Sequence, residues 1–444
     1  MHPEDGGSIP PESKNLYNTY MLDIKFIREN PDLIRQAGQK KRLEFDVDRL
    51  IAVDEERRKV LAEVEDLRAK QNRASDRVAI LDEEESKKTA VNDLRELKEI
   101  LSKKEYEFKK LDAEWRKLMY EVPNVPDPSV PNGENDRDNQ EIRRWGEIPK
   151  FKFEPKNHVE LMQELDLLDL ERGAKVSGFR GYFLKNEAVR LSMALWQFVF
   201  DVFQDSGYEP LITPALVREE NLFGTGHFPQ SMEDVYKTQD DIYLSATAEI
   251  PLMGMHADEV FEEKNLPKKY LAFSPCFRRE AGSHGKDTKG IYRLHEFFKV
   301  EQLIYGIADH KNSVELHEEL TLNAEKVLQA LSLPYRVVVN CGGDIGRAHV
   351  KTYDIEAWIP SERRYRESHS SSYYHDFQTR RLNIRYKTED GQNKFCYSLN
   401  NTAIATPRIL IAILENFQKE DGSVEIPEVL RKYAGSEKIT KKGK

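Results

Sequence analysis

The stretch FRREAGSHGKDTKGIYRLHEFFKVE, Phe277 to Glu301, concentrates groups that can do chemistry. Arg278, Arg279 and Glu280 precede a Gly/Ser/Lys loop, and the exit from that loop alternates charge with bulk. In a strand, successive side chains point to opposite faces. Arg293, His295, Phe297, Lys299 and Glu301 therefore share one face, and Leu294, Glu296, Phe298 and Val300 the other. The first face carries cations at one end, an aromatic plate in the middle and a carboxylate at the far end. That is a poor core face and a good binding face, because guanidinium groups suit carboxylate and phosphate oxygens. Arg278 and Glu280 alone would read as a surface ion pair, and Phe297 alone as a core aromatic. The company of Arg293 and Glu301 on the Phe297 face argues for a site.

The rest of the chain must position these groups. At 444 residues it is long enough for two or three domains and a large core. Charged residues make up 33% and the mean hydropathy is -0.70, which points to a long exposed helical element beside a packed domain. The net charge of -10 argues against non-specific coating of DNA, which needs clustered cations. Three scattered cysteines, Cys276, Cys341 and Cys396, give neither a zinc knuckle nor a disulfide framework, and suit a reducing cytoplasm. No apolar run approaches the roughly 18 residues of a membrane span. Residues 1–20 are polar, lack an apolar signal core, and read as a disordered leader before MLDIKFIREN.

Two long helices are legible between about Phe45 and Val122. Leu50, Val53, Arg57, Val60, Val64, Leu67, Gln71, Ala74 and Val78 follow a 3,4 spacing. So do Leu94, Leu97, Leu101, Lys104, Phe108, Leu111, Trp115, Leu118 and Val122. With the polar run LDEEESKKTA as the turn, the pattern predicts an antiparallel coiled-coil hairpin. Arms of about 30 to 35 residues would reach on the order of 50 Å and project. Residues 49–122 hold 18 Lys and Arg against 19 Asp and Glu, so charge alone does not mark a nucleic-acid arm. The run PNVPDPSVPNGENDRDN then predicts a boundary, with a linker over 136–149 between an N-terminal domain at 21–135 and a C-terminal domain at 150–444. Beyond it, helices mix with the strand-like segments DIYLSAT, KYLAFSPCFRRE, YRLHEFFKVEQLIYG, YRVVVNC, YDIEAWIP and RLNIRY. No glycine-rich nucleotide fingerprint follows a strand, so the class is α+β, an antiparallel sheet with helices packed around it.

The quoted stretch, with LSATAEIP, FGTGHFP, RYRESHSSSYYHDFQTRR and SLNNTAIATPRILIAILENFQ, resembles the signature set of the class II aminoacyl-tRNA synthetases, nearest to the seryl-tRNA synthetase family. The resemblance runs over nearly the whole chain from Met21. It implies a class II catalytic domain that activates L-serine with ATP and Mg²⁺, then loads tRNA(Ser), with tRNA(Sec) as a second candidate acceptor. By resemblance, Arg278 is the catalytic motif 2 arginine, binding both substrates. Thr247, Ala248 and Glu249 line the serine pocket with Asn400 and Thr402, and Glu301 accepts the serine hydroxyl. Arg279, Glu280, Arg293, Phe297, Ser368, His369 and Arg408 join the ATP site. Glu367 and Ser370 hold the metal ion. Lys286, in the loop, and Lys70, Arg73 and Arg77, on the arm, are candidate tRNA contacts. FDVFQDSGYEPLITPALV resembles motif 1, which implies a homodimer.

Two departures stand out. His369 occupies a usual serine position, and Asn401, Ala403 and Pro407 replace motif 3 glycines. Locally the second departure still makes sense, with Thr406 expected to cap a helix that Pro407 begins. Two rival readings remain open at this level. One is a paralogue that adenylates an amino acid and loads a carrier protein; the other is a catalytically silent coiled-coil interaction protein.

Overall fold

The computed structural model describes residues 22–441 apart from 283, 284, 286 and 288, so the expected leader and Lys286 lie outside the described residues. These residues form two compact units, one of residues 22–39 and 43–123, the other of 40–42 and 124–441.

The smaller unit contains the expected hairpin, α1 (Val47–Ile80) and α2 (Glu84–Glu121). Val60, Val64 and Leu101 are buried between the helices, with Leu67, Phe108 and Leu111 packed against them. Two of the three polar seam positions are satisfied across the pair. Arg57 meets Asp112 at 2.7 Å with its guanidinium 4.3 Å from the Trp115 ring, and Lys104 reaches Glu63 at 2.7 Å. The turn is shorter than expected: only Leu81–Glu83 interrupts the helices, and Glu84 begins α2. The polar run lacks a seam but is rich in Glu and Lys, which are good helix formers, and Glu84 and Glu85 complement the helix N-terminus.

The main span of the larger unit begins at Asn124, not after a linker. Asn124 Nδ2 donates to the carbonyls of Ala348 and Tyr374, both at 2.8 Å, and the Tyr373 hydroxyl donates to Asp127 at 2.7 Å. The segment 136–149, expected as a linker, contains β1 (Gln140–Trp145), the outermost strand on one side of the main sheet. Its Pro- and Asn-rich approach is thus pinned to the body by hydrogen bonds, which composition alone does not reveal.

In chain order the body continues with α3 (Glu187–Val202), β2 (Glu209–Ile212), α4 (Glu249–Gly254), β3 (Lys268–Phe277), β4 (Glu296–Gly306) and α5 (His310–Ala330). Then come β5 (Tyr335–Val339), β6 (Lys351–Ile359), β7 (Arg364–His375), β8 (Tyr397–Ala405) and α6 (Thr406–Asn416). The eight strands run β1-β5-β6-β7-β8-β4-β3-β2, antiparallel except for the β2–β3 pair. Helix α5 is tied to one face by polar contacts. Gln302 and Asn401 both donate to the Leu320 carbonyl, at 3.2 and 2.7 Å, and His317 Nε2 meets the Ser371 carbonyl at 2.9 Å. Strand alternation then sends the neighbours of Gln302 and Asn401, namely Glu301, Asn400 and Thr402, to the opposite face, where the cavity lies.

Candidate active site

A cavity of about 280 Å³ opens on that face. Phe297, Lys299 and Glu301, alternate residues of β4, line its floor as the period-2 reading requires. The reading reached too far at the strand ends. Pairing of β3 with β4 stops at Phe277 opposite Glu296, so Glu280 and Arg293 lie beyond the strands. Glu280 sits in a left-handed turn at φ 56°, not on the strand face of Arg278. Its carboxylate still reaches Arg293, at 2.5 Å, and both line the cavity.

Arg278 follows β3 directly. Its backbone N–H donates to the His295 carbonyl at 2.9 Å, and its guanidinium lies 5.2 Å from the Phe297 ring. Arg408, on the first turn of α6, pairs with Glu367 at 3.0 Å and stands 4.7 Å from the Tyr292 ring. Burial works against the charge on Glu367, but Arg408, Arg278 and Arg293 outweigh it and hold the carboxyl below its ordinary range.

Glu367 and Ser370 are three residues apart, which in a regular strand would put them on opposite faces. The register between β6 and β7 shifts between Ile355 and Glu356, so that Ser368 is an extra residue between Glu367 and His369. The bulge restores parity, and Glu367, Ser368, Ser370 and Ser372 all reach the cavity. Among the described residues no cluster of three His, Cys, Asp or Glu side chains forms a self-contained metal cage. The Glu367 carboxylate and the Ser370 hydroxyl, which line the same cavity, instead fit a hard cation that would draw its other oxygens from phosphates and water.

The far end of the cavity is lined by buried polar side chains. Lys299 Nζ, paired with Glu301, also donates to Thr247 Oγ1 at 3.0 Å, and Thr247 Oγ1 lies 3.4 Å from Glu301 Oε2. Burial pushes the Glu301 carboxyl up, against the pull of Lys299, and burial likewise raises Glu249. Gln378 donates to Glu249 at 2.5 Å, and Asn400 Nδ2 meets the Tyr374 hydroxyl at 3.1 Å. Thr402 lies opposite Glu301 in the β8–β4 register.

Not every expected residue arrives. Arg279 is exposed and does not line the cavity; its backbone N–H is used on the Asp234 carbonyl at 2.8 Å. Ala248 is fully buried as the cap residue of α4. His369 packs inside the sheet, Nδ1 on the Ser368 hydroxyl at 2.8 Å and Nε2 on the Ala403 carbonyl at 3.2 Å, and burial pushes it down to about 4. It is a neutral packing residue. Of the three motif 3 departures only Pro407 faces the cavity, since Asn401 points to α5 and Ala403 joins the core. Ala405, not Thr406, is the helix cap residue; the Thr406 hydroxyl instead accepts from Trp196.

Sequence reasoning did not single out Tyr292, His227, His349 or Tyr374 as lining the cavity. Tyr292 is an aromatic plate that meets two cations, 3.8 Å from the Arg366 guanidinium and 4.7 Å from that of Arg408. Tyr374 continues the alternation of Ser370 and Ser372, so strand periodicity could have found it. His227, pushed down to about 4 by burial and by Arg278, comes from the FGTGHFP loop. On the smaller unit, Lys70, Arg73 and Arg77 are exposed on α1, with Lys70 paired to Asp66 at 2.6 Å.

Comparison with known proteins agrees with this geometry. Residues 21–126 match the seryl-tRNA synthetase N-terminal domain, and residues 232–417 the class II tRNA synthetase core domain (G, H, P, S and T). The serine--tRNA ligase of Deinococcus radiodurans is 43% identical over 94% of this chain and 99% of its own length. That of Petrotoga mobilis is 45% identical over 94% and 100%. Among solved structures, seryl-tRNA synthetase from Pyrococcus horikoshii complexed with ATP superimposes with a TM-score of 0.86 at 41% identity, covering 95% of this chain and 100% of the other. The cytoplasmic serine-tRNA ligase of Naegleria fowleri in complex with AMP gives 0.82 at 33%, covering 96% and 100%. With both domains matched and the identity sustained over almost its full length, the chain belongs to the seryl-tRNA synthetase family of class II aminoacyl-tRNA synthetases.

Proposed function

We propose that the protein activates L-serine with ATP to seryl-adenylate and transfers the seryl group to the 3′-terminal ribose of tRNA(Ser). The convergence of Arg278, Glu301, Glu367 and Arg408 on one cavity carries this reading. The serine carboxylate is already ionised, so attack on the α-phosphorus needs no general base. A carboxylate–phosphorus bond forms as the bond to pyrophosphate breaks. Arg278 neutralises the approaching anions and the charge developing on the five-coordinate phosphorus. Phe297 offers a face for the adenine, and Arg408 and Arg293 bind the polyphosphate. Glu367 and Ser370 would hold Mg²⁺, which neutralises phosphate charge when bound. Glu249 receives the substrate ammonium.

ATP–pyrophosphate exchange across a panel of amino acids tests the first step; exchange absent with serine removes the reading and favours a silent interaction protein. Charging of tRNA(Ser), tRNA(Sec) and a carrier protein in parallel tests the acceptor. A buried acceptor for a hydroxyl can reject the analogue lacking it by roughly 10⁴-fold. Glu301→Ala is therefore expected to lower the serine-to-alanine ratio of kcat/KM by about 10²-fold. An unchanged ratio would refute the pocket assignment.

The proposal includes a homodimer in the cytoplasm. Strand β2 lies at the sheet edge with Ile212 81% exposed, and Met193 on α3 is 58% exposed. Such an apolar edge is a liability unless covered. Sedimentation at the single-chain mass would remove the dimer. Among the described residues no helix is long and apolar enough to cross a membrane, and the three cysteines are free.

A further inference from the structure

We propose that Lys299 is a positioning residue for serine selection: its ammonium fixes the Glu301 carboxylate and the Thr247 hydroxyl in the arrangement that receives the substrate hydroxyl. The inference rests on the reading of this cavity end as the serine pocket and names a residue which that reading leaves without a role.

Geometry supports it first. Lys299 and Glu301 stand two residues apart on the same face of β4, 7% and 3% exposed. The ammonium contacts Glu301 and donates to Thr247 Oγ1 at 3.0 Å, so one cation holds both groups that would face a serine side chain. A lysine is almost never this buried unless paired. A buried ion pair is also weak evidence for stability, because desolvation offsets the attraction; fixing an arrangement is its better-attested use.

The surroundings sharpen the argument. Glu249 faces the pair from the start of α4, Arg278 from the end of β3, Cys276 from β3, and His227 from the FGTGHFP loop. Tyr374 on β7 and Thr402 on β8 complete the wall. Two buried carboxylates, Glu249 and Glu301, therefore line the same end of the cavity, and Glu249 raises the cost of ionising Glu301. Lys299 acts on both, pulling each carboxyl down. Without it, burial and Glu249 push Glu301 up, opposed by Arg278 and by the Thr247 hydroxyl. A neutral Glu301 is a weaker acceptor for a hydroxyl than an ionised one.

The test is serine- and alanine-dependent exchange by the full chain and by Lys299→Met, from about pH 6 to about pH 8.5, where the sign of linkage is set by protons taken up at Glu301. The variant is expected to raise the serine KM about tenfold at the acid end, with recovery as pH rises and Glu301 ionises, while the alanine KM stays flat. The parent should show a weaker slope, displaced to lower pH, because Lys299 opposes the rise of the Glu301 carboxyl. A KM that is flat in pH, or a loss equal for serine and alanine, overturns the proposal, since a merely structural lysine would cost both alike. If Lys299→Met fails to fold, the double variant Lys299→Met/Glu301→Gln, which removes both charges, serves instead. Selectivity within about threefold of Glu301→Gln alone supports action through Glu301, and a further tenfold loss overturns it. Absence of serine exchange in the parent would instead overturn the serine-pocket reading, so the two failures are separable.

Discussion

Replacing Arg278 by alanine is expected to lower serine-dependent ATP–pyrophosphate exchange by about 10³-fold or more, the scale of losing one preorganised charge donor at a transition state. The fold should survive. The Arg278 backbone is held by the β3–β4 hairpin through the His295 carbonyl, independently of the side chain. Its Nε makes a single long contact, 3.4 Å to the Ala246 carbonyl. Among the described residues Arg278 has no carboxylate within ion-pair distance, whereas Arg293 is engaged by Glu280 and Arg408 by Glu367. Of these three guanidinium groups Arg278 is the one whose charge is not already committed. It is also preorganised, lying 5.2 Å from the Phe297 ring, so little entropy remains to be lost when an anion binds. The melting temperature should move by less than about 3 °C, since no ion pair or core contact is removed. Exchange within tenfold of the parent, in a variant that melts normally, would take Arg278 out of the chemistry.

The contrast between Arg278 and its neighbours also shows what the sequence could reveal. Phe297, Lys299 and Glu301 were legible as one face because a paired strand has a fixed period. Glu280 and Arg293 were assigned to the paired strands although pairing ends at Phe277 and Glu296, before either is reached; where a hairpin opens into its loop is a tertiary matter, and no periodicity marks it. The Glu367–Ser370 spacing could not be converted to a face at all without knowing of the bulge at Ser368. His227 enters from a loop, and its place beside Arg278 depends on closing about fifty residues of intervening chain, which no local pattern announces. Segment 136–149 misled for a related reason: Pro, Asn and Asp report local turn preference, not whether hydrogen bonds to a distant strand will pin the chain. The hairpin was the easiest element, since its seam is local and repeats. Even two of its three polar interruptions, Arg57 and Lys104, kept register by finding partners across the pair.

The second large effect concerns that hairpin. Removing residues 59–109 and joining Arg58 to Lys110 by a short Gly-Ser turn is expected to leave exchange within about threefold and to lower kcat/KM for tRNA charging by about 10³-fold, chiefly through the KM for tRNA. The cut is feasible because the helices are antiparallel neighbours at this point. Arg57 meets Asp112, and below it Arg49 meets Glu114 at 2.5 Å, so both pairs survive and continue to hold the base of the arm. What is lost includes Lys70, Arg73 and Arg77, exposed on α1, and most of two helices of 34 and 38 residues, each about 50 Å or more in length at 1.5 Å per residue. Such a rod contributes nothing to a cavity whose lining residues all fall between 227 and 408, so adenylation has no reason to change. Its near-balanced charge, 18 cations against 19 anions over residues 49–122, fits recognition of a structured RNA by shape and a few backbone contacts better than bulk attraction. The salt dependence of charging should accordingly be shallow, and it should flatten further in the truncated chain as phosphate contacts are removed. A truncated chain that charges tRNA(Ser) as well as the parent would leave the arm without a part in the reaction, and the hairpin would then be a spacer.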